Sequence, residues 1–152
     1  MAGITSALCT SFKVELLEGD HDFNNGADAF KVALFKANAS ITGTYSAATT
    51  NYSDMTGNSD ELPNGSGYTT TGFALTNVNP TSSGTTAFTD FSANASWSSA
   101  TFTTRGCIIY NSSDGNSAVA MINFGADYSV SGGTFEIQWP TADSSNAIIR
   151  IA

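Results

Sequence analysis

The stretch CIIYNSSDGNSAVAMINF, residues 107–124, decides the fold class. Two apolar runs, CIIY (107–110) and AVAMINF (118–124), flank the polar segment NSSDGN. An Asp-Gly pair between such runs favours a tight reversal that joins two antiparallel strands. The sequence therefore predicts a β-hairpin at this point.

The β pattern continues on the C-terminal side of the hairpin. TFEIQW, residues 134–139, alternates apolar and polar positions, which predicts a strand with one face toward the core and one toward water. The Gly-Gly pair at 132–133 is expected to separate it from a short strand near Tyr128. The final segment NAIIRIA, residues 146–152, is so apolar that we expect it to be paired with another strand.

Strands are also expected on the N-terminal side. FKVALFK, residues 30–36, is apolar on both faces and predicts a central strand, and short strands are expected within 67–78, 86–91 and 97–103. The polar stretch 37–65 is interpreted as a long surface loop with one short helical turn. Short strands at this spacing predict an all-β fold, a single β-sandwich.

The first 28 residues have a different pattern. Residues 5–18 predict a short helical arm, with Thr5 as its cap and Gly19 at its end, and GDHDFNNGAD, residues 19–28, predicts an acidic connector. We therefore divide the chain into an arm and connector, residues 1–28, and a sandwich domain, residues 29–152. An apolar stripe on the arm would pack on its own sandwich or on another protein, and Arg150 near the terminus would form an ion pair or reach a partner subunit; the candidate interface residues are Leu8, Phe12, Leu16, Leu17 and Arg150.

Composition excludes several classes of function. The 152 residues carry thirteen acidic and only five basic side chains, a net charge of -8 without a basic stripe, so we expect no nucleic-acid partner. The apolar runs are too short to span a bilayer, so we expect no membrane partner. Forty residues are Ser or Thr, a composition typical of proteins that work outside cells, yet the start MAGITSALCTSFKVELL lacks the pattern of a secretory signal. A virion component made in the host cytoplasm would combine these two properties.

The titratable residues indicate no catalytic or metal site. His21, the single histidine, lies in the connector, and no serine stands in a nucleophile-elbow context, so we expect no enzyme and no catalytic residues. The acidic connector lacks the glycine and glutamate positions of a calcium loop, which favours a solvated turn and no metal or other cofactor. The carboxylate pairs Asp60-Glu61 and Asp90 with Glu136 are the remaining candidates, for glycoside cleavage.

Cys9 and Cys107 have neither metal-site nor redox-motif spacing, and both lie beside apolar residues. We expect buried free thiols, with a disulfide between them as the alternative.

Seven segments occur in an order that resembles small virion structural proteins of tailed bacteriophages: SFKVELLEG (11–19), FKVALF (30–35), GSGYTTTGFALTN (65–77), TFTTRGCIIYN (101–111), AVAMINFG (118–125), GTFEIQWP (133–140) and NAIIRIA (146–152). The resemblance covers nearly the whole chain from Ser11, and its segments are strands and turns, not catalytic motifs. It implies a jelly-roll-like β-sandwich that assembles into homo-oligomers on a larger lattice.

The same resemblance implies a capsid decoration, or cement, protein on the capsid exterior of the virion. Its partners would be the major capsid protein and copies of itself. The alternative is a tail or head-fibre component that binds the host surface, for which Tyr45 and Tyr52 in the polar loop are the candidate contact residues.

Overall fold

A computed structural model describes residues 2–152. It is mostly β, 45% strand and 12% helix, with antiparallel sheets and two helices, which confirms the all-β class. The strands are β1 Gly3–Ile4, β2 Ala7–Leu8, β3 Phe30–Leu34, β4 Thr44–Tyr45, β5 Phe73–Ala74, β6 Thr81–Ser83, β7 Thr86–Thr89, β8 Ala95–Asn111, β9 Ser117–Ile137 and β10 Ile149–Ile151. The helices are α1 Thr10–Glu18 and α2 Tyr52–Gly57, with a 3-10 turn at Asn38–Ser40.

The predicted hairpin is confirmed and is the centre of the fold. β8 and β9 pair antiparallel from Asn111 and Ser117 at the turn to Ala95 and Ile137 at the far end. The strands are much longer than the sequence predicts, because the segments expected as separate strands join into two continuous ones. The Gly-Gly pair at 132–133 does not end β9, since a left-handed Gly132, with φ 62°, and register shifts absorb the irregularity as β-bulges.

Five strands form the main sheet in the order β2-β9-β8-β3-β5, and three form a second sheet in the order β10-β7-β6. β3 lies between β8 and β5, as expected for an interior strand. The C-terminal strand β10 is paired with β7, which confirms that it has a partner. The ring of Phe91, which follows β7, lies 6.1 Å from that of Phe30 in β3 and connects the two sheets within one core.

The N-terminal helix is shorter than predicted. It begins at Thr10 because the preceding residues are extended: β1 pairs with β4, β2 pairs with β9, and the Cys9 amide donates to the Val119 carbonyl. Thr5 is therefore not its cap. The predicted end is confirmed, since Gly19 adopts the left-handed conformation, φ 87°, after the last turn.

The short helical turn expected in the segment 37–65 is confirmed by α2, but the segment is not a surface loop, contrary to the expectation. It contributes β4 and α2, and Tyr45 and Met55 are almost completely buried. Asn51 and Asp54 form a reciprocal capping box at the start of α2, which stabilises a helix of only six residues. Its buried residues pack into the same core as the sheets. Within residues 2–152, neither α-helix has the length and apolar character needed to cross a lipid bilayer.

Candidate interaction surface

The Asp60-Glu61 pair is held in two separate hydrogen-bond networks. The Asp60 carboxylate accepts from the Thr42 amide (2.9 Å), the Gly43 amide (2.8 Å) and the Tyr45 hydroxyl (2.6 Å). Burial would raise the pKa of this carboxyl, but the hydrogen bonds from Tyr45, Gly43 and Thr42 outweigh it, so the pKa lies below its usual value. Asp60 therefore anchors the segment 42–45.

Glu61 lies at the centre of a tyrosine cluster. Its carboxylate accepts from the Tyr52 hydroxyl (2.5 Å), the Tyr68 hydroxyl (2.7 Å) and the Thr71 amide (2.8 Å). Burial, together with the nearby charge of Glu61, raises the pKa of Tyr68 far above its usual value. The ring of Tyr52 stacks on that of Tyr110 at 4.5 Å. Asp60 and Glu61 thus use their oxygens to hold loops together. Tyr45 is buried and Tyr52 is half-buried, and both hydroxyls donate to these carboxylates.

Asp90 and Glu136 occupy different environments. Asp90 is fully buried and accepts from the amides of Phe91 and Ile148, and burial raises the pKa of its carboxyl. Glu136 is exposed, and its Oε1 accepts from the side-chain amides of Asn94 and Gln138. The buried member of the pair holds the C-terminal segment against β7 through the Ile148 amide.

His21 is buried, with its imidazole between the arm and the hairpin. Nε2 lies 2.9 Å from Glu15 Oε2, and Nδ1 lies 3.0 Å from Asn111 Nδ2. Asn111 Oδ1 accepts from two backbone amides, which fixes its Nδ2 as the donor to Nδ1. The imidazole is therefore the tautomer that carries its proton on Nε2, donated to Glu15.

Residues 2–152 contain one cluster of side chains with the spacing of metal ligands, and the tautomer of His21 is unfavourable for metal binding there. Glu15, His21 and Asp114 bring their potential ligand atoms within 4.8 Å of one another. A metal on Nε2 would require the proton to move to Nδ1, where it would face the Asn111 amide hydrogens. The donor set consequently does not suit a metal, and the cluster ties α1 to the hairpin turn instead.

The acidic connector is held by internal hydrogen bonds. Asp28 Oδ2 accepts from the Asp22 amide and from Asn111 Nδ2, both at 2.8 Å, and Asp22 Oδ1 accepts from the amide of Asn24. Asp22 and Asp28 therefore shape the turn.

Both cysteines are free and fully buried, which confirms the expected free thiols. Burial raises the pKa of Cys9 to about 11 and raises that of Cys107 still further. Neither thiol has the thiolate character of a nucleophile at neutral pH.

A further candidate surface is an apolar face on the far half of the hairpin. We call the part where Ala95–Thr104 pairs with residues 128–137 the ribbon. On its β8 side, Trp97 and Phe102 are covered by the ring of Tyr68, at 6.2 Å from each. The β9 side of the same face has no such cover: Tyr128 is 52% exposed and the others are half-buried, namely Phe124, Val130, Phe135 and Ile137.

The ribbon face contains a shallow cavity of about 250 Å³. Its lining consists of five residues of β9: Phe124, Tyr128, Phe135, Glu136 and Ile137. The rings of Phe124 and Phe135 lie 6.2 Å apart, and Phe124 meets Tyr128 edge-on at 6.1 Å. Partly exposed aromatic side chains grouped in this way are typical of interaction surfaces.

Three of the five candidate interface residues taken from the sequence lie beside β10. Leu8 and Arg150 line one groove beside this strand, and Leu16 lines a second, apolar groove with Ile149 and Ile151. Leu17 is 90% exposed, so a partner role for it stays a prediction. Phe12 is 1% exposed and packs against Phe23 and His21, which leaves it no surface to offer a partner.

The sequence did not identify Phe124 and Tyr128 as surface candidates, whereas Phe135 and Ile137 pack against the core, as expected, but stay half-buried. The sequence shows the alternation of apolar positions along β9. Alternation predicts that one face of a strand is apolar, but it does not predict which residues pack against that face. Comparison of the chain with protein-family models, curated proteins and solved structures finds no match.

Proposed function

We propose that this protein is a structural component of a tailed-bacteriophage virion, a decoration protein that binds the outer capsid shell and stabilises the head. One observation supports the proposal beyond the sequence resemblance: on the ribbon face Tyr128 is 52% exposed, and the neighbouring rings of Phe124 and Phe135 are only half-buried. A face of this kind is stabilised when a neighbouring protein covers it. An acidic exterior keeps unassembled copies soluble.

The remaining parts of the proposal concern partners, place and chemistry. The partners are the major capsid protein and further copies of this chain, at the capsid exterior, after synthesis in the host cytoplasm. The protein acts without catalysis, cofactor or nucleic acid. In support, the carboxylate oxygens of Asp60, Glu61 and Asp90 accept hydrogen bonds from within the protein, and the thiols of both cysteines are buried.

We extend the proposal to the arrangement of the sheets. The five-stranded and three-stranded sheets would be the two layers of one β-sandwich, jelly-roll-like in arrangement. Support comes from the single core to which Phe30, Phe91 and Ile149 all belong.

Quantitative mass spectrometry of purified virions tests the function. The number of copies of this chain is compared with that of the major capsid protein. A copy number of the same order supports decoration, whereas a few tens of copies or fewer would assign the chain to the tail or a head fibre. Absence from the virion would overturn the proposal.

A further inference from the structure

The outer edge of β9 is open next to the ribbon face. β9 pairs with β8 over most of its length, whereas on its other edge Ala120 and Met121 pair with β2 and Ser117 forms a bridge with Asn51. Beyond Gly125 that edge has no neighbouring strand in the part of the chain that the structure describes. An open edge offers unpaired N–H and C=O groups to any extended segment that reaches it.

The hydrogen bonds of the ribbon identify which groups face outward. The Thr101 amide donates to the Ser66 carbonyl (2.8 Å) and so points away from β9. Residues opposite each other in an antiparallel pair orient their backbone groups in the same sense, toward or away from the partner. Thr101 is opposite Ser131, and Thr103 is opposite Ser129 with their hydroxyls 2.7 Å apart. Ser129 and Ser131 therefore direct their backbone N–H and C=O groups to the open edge.

The five residues that line the ribbon cavity all belong to β9, the strand that carries the open edge. Glu136 alternates with Phe135 and Ile137 along β9, so its carboxylate lies on the opposite face of the strand, where its hydrogen-bond donors are the neutral amides of Asn94 and Gln138. Among the described residues Arg105 pairs with Asp127, and no cationic side chain pairs with Glu136. A cationic side chain from a partner would complement this carboxylate.

Charge also favours a different protein over a second copy. A second copy would bring a further net charge of -8 and the same Glu136 to the same edge. Like charges across an interface oppose association. An extended segment with a Lys or Arg next to an apolar residue would present these two side chains to opposite faces of the sheet, the cation to Glu136 and the apolar side chain to the cavity.

We infer that an extended segment of the capsid subunit adds to β9 as a further strand along Ser129–Ser131. It places an apolar side chain in the ribbon cavity and, on the opposite face of the strand, a cation against Glu136. Main-chain hydrogen bonds would supply affinity and the cavity would supply specificity, as in other cases of strand addition. This inference rests on the proposed function and names the contact that the function uses.

A pair of substitutions at one position tests the strand addition. Ser131→Pro removes the outward N–H, and Ser131→Ala keeps it while removing the hydroxyl. Proline is tolerated at an edge strand where no neighbour needs the N–H, so both variants should fold. Thermal unfolding of the two purified variants checks this before assembly is measured.

A phage that lacks the gene is complemented with wild type, Ser131→Ala or Ser131→Pro, and the copies per virion are counted by mass spectrometry. We expect wild-type copy number for Ser131→Ala and a loss of at least about tenfold for Ser131→Pro. Equal incorporation of both folded variants would overturn the strand addition while leaving the decoration role intact. Absence of wild type from virions would overturn the function, and the capsid partner with it. Concentration-dependent dimers in solution that Ser131→Pro abolishes would assign the edge to a second copy and overturn the inference.

Discussion

Asp60 has no solvent exposure, yet three groups hold it as an anion. Because its pKa is lowered in the folded state, the carboxylate contributes stability at every pH above its unfolded value of about 3.8. That contribution is lost as the pH falls through the lowered folded pKa. Asp60 is thus a source of acid sensitivity that lies far from the surface.

Substitution Asp60→Asn tests this contribution. The amide cannot accept all the hydrogen bonds that the carboxylate accepts, so we expect the variant to lose about 2 kcal/mol of unfolding free energy at pH 7. The difference from wild type should stay constant down to about pH 4 and shrink below it. Urea unfolding at several pH values measures both quantities.

The exposed Asp20 provides the control, since Asp20→Asn should leave the unfolding free energy unchanged at each pH. An Asp60→Asn variant as stable as wild type at pH 7 would contradict the assignment. So would a difference that does not depend on pH.

Individual polar residues show where sequence reasoning ends. Tyr45 was predicted to be exposed because it lies in a polar stretch, but its hydroxyl donates to Asp60, fifteen positions later. His21 lies in an acidic connector, and its buried partner Asn111 is ninety positions away. Neither pairing has a local signal, because hydrogen bonds of this kind are created only when distant segments pack.

At the scale of elements, the close approach of the chain at Gly72 to β3 depends on a glycine. Gly72 has φ 79°, and a Cβ atom there would lie 2.0 Å from the Val32 carbonyl oxygen. β3 is an interior strand, so its backbone cannot move aside without disturbing β8.

We expect Gly72→Ala to lower the free energy of unfolding by more than about 3 kcal/mol. Alanine is strained in the left-handed conformation, and its Cβ would also clash with the Val32 carbonyl oxygen. Gly84→Ala is the matched control: it has φ 60° with nothing within 4 Å of an added Cβ. It should cost about 1 kcal/mol, the conformational part alone. Chemical denaturation of both variants measures the difference, and equal losses would show that the close approach to Val32 does not constrain the fold.

The elements themselves were predictable to different degrees. The hairpin, the interior strand β3 and the end of α1 at Gly19 all have local signals, namely a turn dipeptide, an apolar run and a left-handed glycine. The continuity of β9 had no such signal, because a Gly-Gly pair normally indicates a break and here forms a bulge. The start of α1 was missed because pairing of β2 with β9 keeps the preceding residues extended.

At the scale of the whole molecule, the two thiols can be used to compare local unfolding of the N-terminal arm with that of the β domain, residues 29–152. Cys9 directly precedes α1 and Cys107 lies in β8, and both belong to one hydrophobic core. A buried thiol with a raised pKa reacts only after the structure around it opens. The rate at which each thiol is labelled therefore measures the free energy of the opening that exposes it.

We expect Cys9 and Cys107 to be labelled at similar rates in the native protein at pH 8. The arm shares a hydrophobic core with the β domain, so the two should unfold together. A thiol-alkylating reagent followed by peptide mass spectrometry quantifies each cysteine separately, and labelling in denaturant provides the unprotected reference rates. A Cys9 rate more than about tenfold above that of Cys107 would correspond to an opening about 1.4 kcal/mol easier. That result would mean that residues 1–28 open as a unit of their own, whereas equal rates would make the arm an integral part of the β domain.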